Sequence, residues 1–386
     1  MASNQTITKP AMPVLDWAVY PKRALLVVLA ATGLLAYFWL ASRYPALWHK
    51  AHLAGGSSLA SLFTLNPPIY IYPEADLYER ILWSTFNWLD ANKLGMTFGI
   101  IFGALVLTLL DFLKRPATSN ALLNSAFGLL MGAPLGVCAN CAAPIAKGML
   151  DGGSRQETAL ATMLSSPTFN AVVLIMLFSL FPWWMGAIKV SLSAFFILVV
   201  MPGLVHRFRK ASKAPAAATG AAPQACTLDF NTMTPASAPV RESWPKAFQY
   251  TVRTFLLKFG YILMMTVPLM FLAGLTGAVL EQMIDLPALV WGPTEGGAGM
   301  AKIAVVALLG TSLPMPIAMD MLLADVLFRA GVSAPVIVTL LFTLGLYSVY
   351  SFLIVMTSTS KRLATALFVA VAALGAGAGW LTMLLQ

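Results

Sequence analysis

The chain has 386 residues, of which 59% are hydrophobic and only 10% are charged. Soluble globular proteins are nearer half apolar and a quarter charged, so the composition excludes an ordinary soluble domain. The formal net charge of +9 is explained by Lys and Arg beside membrane spans, and we predict no nucleic-acid binding.

Apolar runs of about the length that spans a bilayer recur along the chain. They are continuous rather than alternating, which predicts helices, and a bilayer admits only helices or closed barrels. The fold class that follows is an all-α polytopic membrane protein. The runs cover about 24–41, 95–113, 156–181, 185–204, 255–280, 334–356 and 363–385.

Two further regions, 119–150 and 301–330, mix apolar residues with Pro, Gly and polar side chains. We expect each to form a broken re-entrant hairpin that returns to its own side of the membrane. With a cytoplasmic N-terminus, that topology puts 17 of the 24 Lys and Arg residues inside, as the positive-inside rule requires. If 119–150 crossed the membrane instead, the basic cluster 207–210 would lie outside. The sequence therefore predicts a multi-pass protein of the inner (plasma) membrane.

The organisation along the chain predicts four segments. Residues 211–245 are rich in Ala, Pro, Ser and Thr, which is typical of a flexible linker. The predicted segments are 1–94 (N-terminal segment, first span and outer loop), 95–205 (first repeat), 206–250 (cytoplasmic Ala/Pro-rich linker) and 251–386 (second repeat).

An internal repeat links the mixed regions 119–150 and 301–330, which we call the odd regions. The pattern P-I-A-x-x-M-L starts at Pro144 and again at Pro316. Further along, Ser348 takes the position in the second copy that Asn170 has in the first. Under the expected topology the two copies enter from opposite sides, which makes two inverted-topology halves. Paired broken helices in inverted repeats are a transporter design whose substrate site lies where the breaks meet.

This pattern predicts a secondary-active permease that works by alternating access and is not an enzyme. The sequence has no P-loop, dinucleotide fingerprint or catalytic triad pattern, so we expect a proton or ion gradient to supply the energy and no cofactor. The expected partners are a small solute or metal(loid) and the lipid bilayer; the sequence leaves the oligomeric state unknown.

Candidate path residues lie in and beside the odd regions. Their side chains would either line the substrate path or satisfy the backbone groups that helix breaks set free. They are Cys138, Asn140, Cys141, Pro144, Ser165, Ser166, Pro167, Asn170, Thr311, Ser312, Pro314 and Pro316.

Cys138 and Cys141 would share one face of a helix. Thiolates are soft ligands for Cu(I), Zn and thiophilic metalloids, so the pair is a candidate metal or transient substrate site. A C-x-x-C pair can also act as a redox dithiol, which makes a membrane thiol–disulfide electron carrier the alternative function. Two small apolar side chains that simply pack well are the third interpretation.

Asp320 follows Pro316 by four residues in the second odd region. A carboxylate within the membrane is costly and is a functional candidate by default. We predict that Asp320 binds the coupling ion or proton; a salt bridge or a water-filled vestibule are the other interpretations.

The stretch from Cys138 to Asn170 resembles the signature of the predicted permeases related to ArsP and YraQ. Those proteins show a C-x-C-x-x-x-P segment, a Gly, and then a Leu–Ser–Pro–x–x–Asn segment. Asn140 stands where the family would place its second Cys, and Cys141 follows one residue later. The resemblance implies a permease, and some family members are associated with efflux of trivalent organic arsenicals. The matching positions are Cys138, Pro144, Gly153, Ser166, Pro167 and Asn170, with Pro316, Ile317, Ala318 and Gly331 in the second half.

Overall fold

In the part of the chain that it describes, the computed structural model consists of helices joined by turns and short loops, with no strand, which confirms the predicted all-α class. Within that part, five helices are long and apolar enough to cross a membrane, and one bent helix pair adds a possible sixth. The chain is therefore a multi-pass membrane protein. Cys226 and most of the predicted linker lie outside the described residues. The described residues are 20–46, 48, 67–72, 74–112, 120–212, 242–283 and 296–385.

The first half places four short helices between long ones. The long helices carry the predicted apolar runs, whereas the short ones are separated by breaks at Pro, Gly and polar residues. In chain order they are α1 (Pro21–Ala46), α2 (Leu77–Phe112), α3 (Ala121–Gly132), α4 (Ala139–Asp151), α5 (Gln156–Thr168), α6 (Ala171–Leu180) and α7 (Trp183–Phe208).

The second half repeats this order of elements. A long helix precedes four shorter ones, and another long helix follows them. These are α8 (Trp244–Met283), α9 (Gly296–Ser312), α10 (Met319–Arg329), α11 (Ala334–Thr343), α12 (Val349–Ser358) and α13 (Lys361–Leu385).

The helix ends match as well as the helix order. Helix α4 is followed by Gly153 at φ +77°, and α10 by Gly331 at φ +91°. Both turns carry the paired hydrogen bonds of a Schellman motif, which needs a residue that tolerates positive φ. Asn170 and Ser348 each cap the helix that follows, α6 and α12 respectively. The matched ends support the internal repeat; its inverted orientation stays a prediction.

The breaks lie at positions that differ from the hydropathy estimates. Helix α4 continues through Pro144, and α5 continues through Pro167. The helix breaks therefore lie before Pro144 and after Pro167. The run 334–356 is not continuous, because Gly345 adopts φ +81° between α11 and α12. Leu344 and Leu346 beside this glycine keep the mean hydropathy high and hide the break from a sequence window.

The second apolar run also starts earlier than predicted. Helix α2 begins at Leu77 rather than near 95. Buried Asn87 and Asn92 lie in its first half, and their polarity lowers the hydropathy of a segment that nevertheless faces protein. Helix α2 packs along α8 and α4, and α4 packs against α12 of the other half. These contacts bring the breaks of the two halves together.

Candidate substrate site at the junction of the helix breaks

The first break, residues 133–138, lies between α3 and α4. The Ser166 hydroxyl accepts a hydrogen bond from the backbone N–H of Val137 and donates one to its carbonyl, both at 3.1 Å. The Asn170 amide donates to the carbonyl of Ala133 at 3.4 Å. Ser166 and Asn170 therefore satisfy backbone groups that the break sets free.

The second break, residues 313–318, is satisfied from the first half of the chain. The Trp88 indole on α2 donates to the carbonyl of Pro314 at 2.6 Å. The Asn140 amide donates to the carbonyl of Met315 at 3.2 Å, and its oxygen accepts from Ser348 at 2.7 Å. Asn140 thus joins the start of α4 to the second break and to the cap of α12.

Three other candidate hydroxyl groups bond within their own helices. Ser165 donates to the carbonyl of Thr162, and Thr311 and Ser312 donate to carbonyls one turn earlier. Such bonds satisfy the hydroxyl inside the helix and leave no strong donor for a solute. Pro314 and Pro316 lie within the second break itself.

Cys138 and Cys141 are brought together at the start of α4. Cys138 is the N-cap, and its sulfur accepts a hydrogen bond from the backbone N–H of Cys141 at 3.3 Å. The two sulfur atoms lie 2.6 Å apart, and both side chains are buried. The Cys138 sulfur is also 3.9 Å from the side-chain oxygen of Asn92. Among the described residues no group of three or more His, Cys, Asp or Glu side chains is placed to hold a metal ion.

A cavity of about 130 Å³ opens beside the two cysteines. It is bounded by both helix breaks and by the facing parts of α1 and α2, which is where the repeat predicts a substrate site. We call it the junction cavity. Its lining is Ser42, Arg43, Ala46, Ala91, Asn92, Leu94, Gly95, Cys138, Cys141, Pro316 and Ile317.

Gly95 keeps the junction cavity open on the α2 side. A Cβ atom added there would lie 2.6 Å from the Cys141 sulfur and 3.0 Å from the Arg43 Nη2 atom. Only a glycine therefore lets the thiol and the guanidinium approach α2 this closely. The sequence analysis missed Arg43, although an arginine at the end of an apolar run is a pattern that could have identified it.

Asp320 forms a buried ion pair. Its Oδ2 atom lies 3.0 Å from the Nζ atom of Lys189 on α7, and both residues are buried. The pair joins the two halves, and the sequence analysis missed Lys189 although a lysine inside an apolar run is itself a signal. Gly345 lies against the same carboxylate, since a Cβ atom there would be 3.0 Å from Oδ2.

Comparison with known proteins decides the family. A sequence model described as ArsP_1, predicted permease, matches residues 89–383. The chain belongs to the ArsP_1 family of predicted permeases. This confirms the resemblance drawn from the Cys138–Asn170 stretch, and it makes the chain a membrane transporter by family.

A curated relative supports the same family. The chain is 24% identical over 200 residues to UPF0718 protein YraQ of Escherichia coli, an alignment that covers 51% of this chain and 54% of the relative. The chain thus spans about half the length of that relative. No solved structure matches the chain.

Proposed function

We propose that the chain is a secondary-active permease that carries a small solute through the junction cavity by alternating access. The family supplies the transporter class. The observation that carries the proposal is the cavity itself, which is bounded by helix breaks from both halves and contains two thiols. Broken helices at a shared cavity are where transporters bind their cargo.

We propose that the transported solute is a metal(loid) or an organic arsenical and that the protein exports it. Cys138 and Cys141 both line the cavity, and thiolates bind soft, thiophilic centres in preference to hard ions. We further propose an inner-membrane location with a cytoplasmic N-terminus, on the distribution of Lys and Arg.

The Lys189–Asp320 pair is our candidate for ion coupling. A buried ion pair between two moving halves is stable only while both partners stay in contact, because an unpaired charge in the membrane is costly. Protonation of Asp320 would neutralise the carboxylate and release Lys189 to another partner. The pair can therefore link proton binding to a change in how the halves pack.

The test is uptake into everted membrane vesicles, with trivalent inorganic and organic arsenicals, Cu(I), Zn and small anions as solutes. We expect the wild-type chain to accumulate one of them under a proton gradient. Cys138→Ser/Cys141→Ser should lower that uptake at least about tenfold, since a lost soft ligand is worth a tenfold factor or more. Cys226→Ser is the matched control and should leave uptake unchanged.

Each outcome bears on one part of the proposal. Uptake that survives the double cysteine substitution but is lost in Asp320→Asn removes the soft-ligand role and keeps the coupling role. Absence of uptake for every solute, with folded protein present in the vesicles, contradicts the permease proposal for this panel.

One observation favours a second candidate, a thiol–disulfide electron carrier. The two cysteine sulfur atoms are 2.6 Å apart, and α4 begins between them. Neighbouring thiols at a helix N-terminus are a redox arrangement. The chain has three cysteines in all, and the second break contains none to exchange with. Mass analysis after alkylation, before and after reduction, would reveal a cycling disulfide.

A further inference from the structure

Arg43 is a buried cation for which the described residues supply no carboxylate partner. It is 9% exposed, and its Nε atom is buried without a hydrogen-bond partner. The ion pairs within the described ranges engage other lysines and arginines. Its guanidinium carbon lies 4.8 Å from the ring centre of Phe38, a contact that does not neutralise the charge. A buried charge of this kind is destabilising until a counter-charge binds.

The surroundings of Arg43 favour an anion as that counter-charge. Among the described residues that line the junction cavity there is no carboxylate, and Arg43 is the one charged side chain. Cys138 lines the cavity and caps α4, so the positive end of that helix dipole lies at the same place. An added Cβ on Gly95 would touch both Arg43 and Cys141, which shows that the guanidinium and the thiol share one small space.

We propose that the junction cavity binds a small oxyanion, with Arg43 as its counter-charge and the start of α4 as a second source of positive potential. This rests on the permease part of the proposed function, and it names an oxyanion in place of a metal(loid) as the transported solute. The planar guanidinium presents paired donors that fit two oxygens of one oxyanion. Arg43 lies outside the matched residues 89–383, so this side chain comes from the N-terminal helix.

The size of the cavity limits the anion. At about 130 Å³ it is close to the roughly 150 Å³ cavity that holds one benzene molecule. An ion of about five heavy atoms, such as sulfate or thiosulfate, fits this space. A free metal cation fits the charge less well, because Arg43 repels it. A Cu(I) ion held by two thiolates is the competing occupant, since that complex is itself anionic.

The experiment measures binding to the full chain in lipid nanodiscs. Thermal unfolding is followed with sulfate, thiosulfate, arsenous acid (neutral at pH 7) and Cu(I), in the wild type, Arg43→Gln and Arg43→Lys. We expect sulfate or thiosulfate to raise the unfolding temperature of the wild type with saturable dose dependence. Arg43→Gln should weaken that binding at least about tenfold, and Arg43→Lys should retain part of it. Arg362→Gln, at an exposed position on α13, is the matched control.

A second readout separates binding from a structural role. Without anion, Arg43→Gln should unfold at a temperature equal to or above that of the wild type, because it removes an uncompensated buried charge. A lower unfolding temperature together with unchanged sulfate and thiosulfate binding would overturn the proposal. Stabilisation by arsenous acid or Cu(I) alone, unaffected by Arg43→Gln, would also overturn it while leaving the permease proposal in place.

Discussion

Ser348 donates a hydrogen bond of 2.7 Å to the side-chain oxygen of Asn140, although 208 residues separate them. Ser348 caps α12, and Asn140 lies in the first turn of α4. The bond therefore ties the first break of one half to the last break of the other. The same Asn140 amide holds the Met315 carbonyl, so one side chain connects three irregular segments.

This relationship predicts a coupled loss of stability. Asn140→Leu should lower the free energy of unfolding by about 1–3 kcal/mol, because it leaves a buried carbonyl and a buried hydroxyl without a partner. In a double-mutant cycle, Asn140→Ala and Ser348→Ala should couple by about 1 kcal/mol. Unfolding in detergent measures both quantities. Strictly additive effects would show that the bond contributes nothing.

The Lys189–Asp320 pair predicts an asymmetry between single and double substitutions. Lys189→Met or Asp320→Leu alone should each destabilise the protein by about 3–5 kcal/mol, since each leaves one buried charge unpaired. The double variant should recover most of that loss. Arg329→Met is the comparison variant. It breaks the Arg329–Asp325 ion pair, in which the arginine is exposed although Asp325 is buried. A double variant as unstable as either single one would contradict the pairing.

The sequence predicted the class of fold for a clear physical reason, whereas the region of the substrate site stays a prediction. Long apolar helices carry their own signal, and the P-I-A-x-x-M-L repeat marked both odd regions. The matched positions Asn170 and Ser348 both turned out to be helix caps, which is a local property that a short pattern can encode.

Other parts of the site depend on contacts between distant residues and could not be predicted from local patterns. Lys189 and Asp320 are 131 residues apart, and the local sequence around either residue does not indicate which residue it pairs with. The exact position of a break also escaped, because Pro144 and Pro167 are tolerated inside their helices while Gly136 and Gly345 take the positive φ angles.

Gly95 predicts a steric test of the junction cavity. Gly95→Ala should lower transport about tenfold or more, because the new methyl group meets the Cys141 sulfur and the Arg43 guanidinium. Gly33→Ala on α1 is the matched control, since an added Cβ there meets nothing within 4 Å. Transport rates from equal amounts of folded protein give the comparison. Equal transport rates for both variants would show that the solute does not pass through the junction cavity.

The turn at Gly331 predicts a purely conformational effect. An added Cβ at Gly331 meets nothing within 4 Å, yet its φ is +91°. Gly331→Ala should therefore cost about 1–2 kcal/mol of stability through backbone strain alone. Gly377→Ala, which is equally open but lies inside α13, should be neutral or stabilising by up to about 1 kcal/mol. The two unfolding midpoints are compared directly, and equal shifts would contradict the strain argument.

Alternating access requires the junction cavity to open in turn to the two sides of the membrane. The most direct measurement follows alkylation of Cys141, in a Cys138→Ser/Cys226→Ser chain, by a membrane-impermeant thiol reagent. The reagent is added separately to right-side-out and everted vesicles, with and without a proton gradient. We predict labelling from both sides, with the gradient shifting the ratio between them and a bound solute protecting the thiol. Labelling from one side only under every condition would contradict alternating access through this cavity.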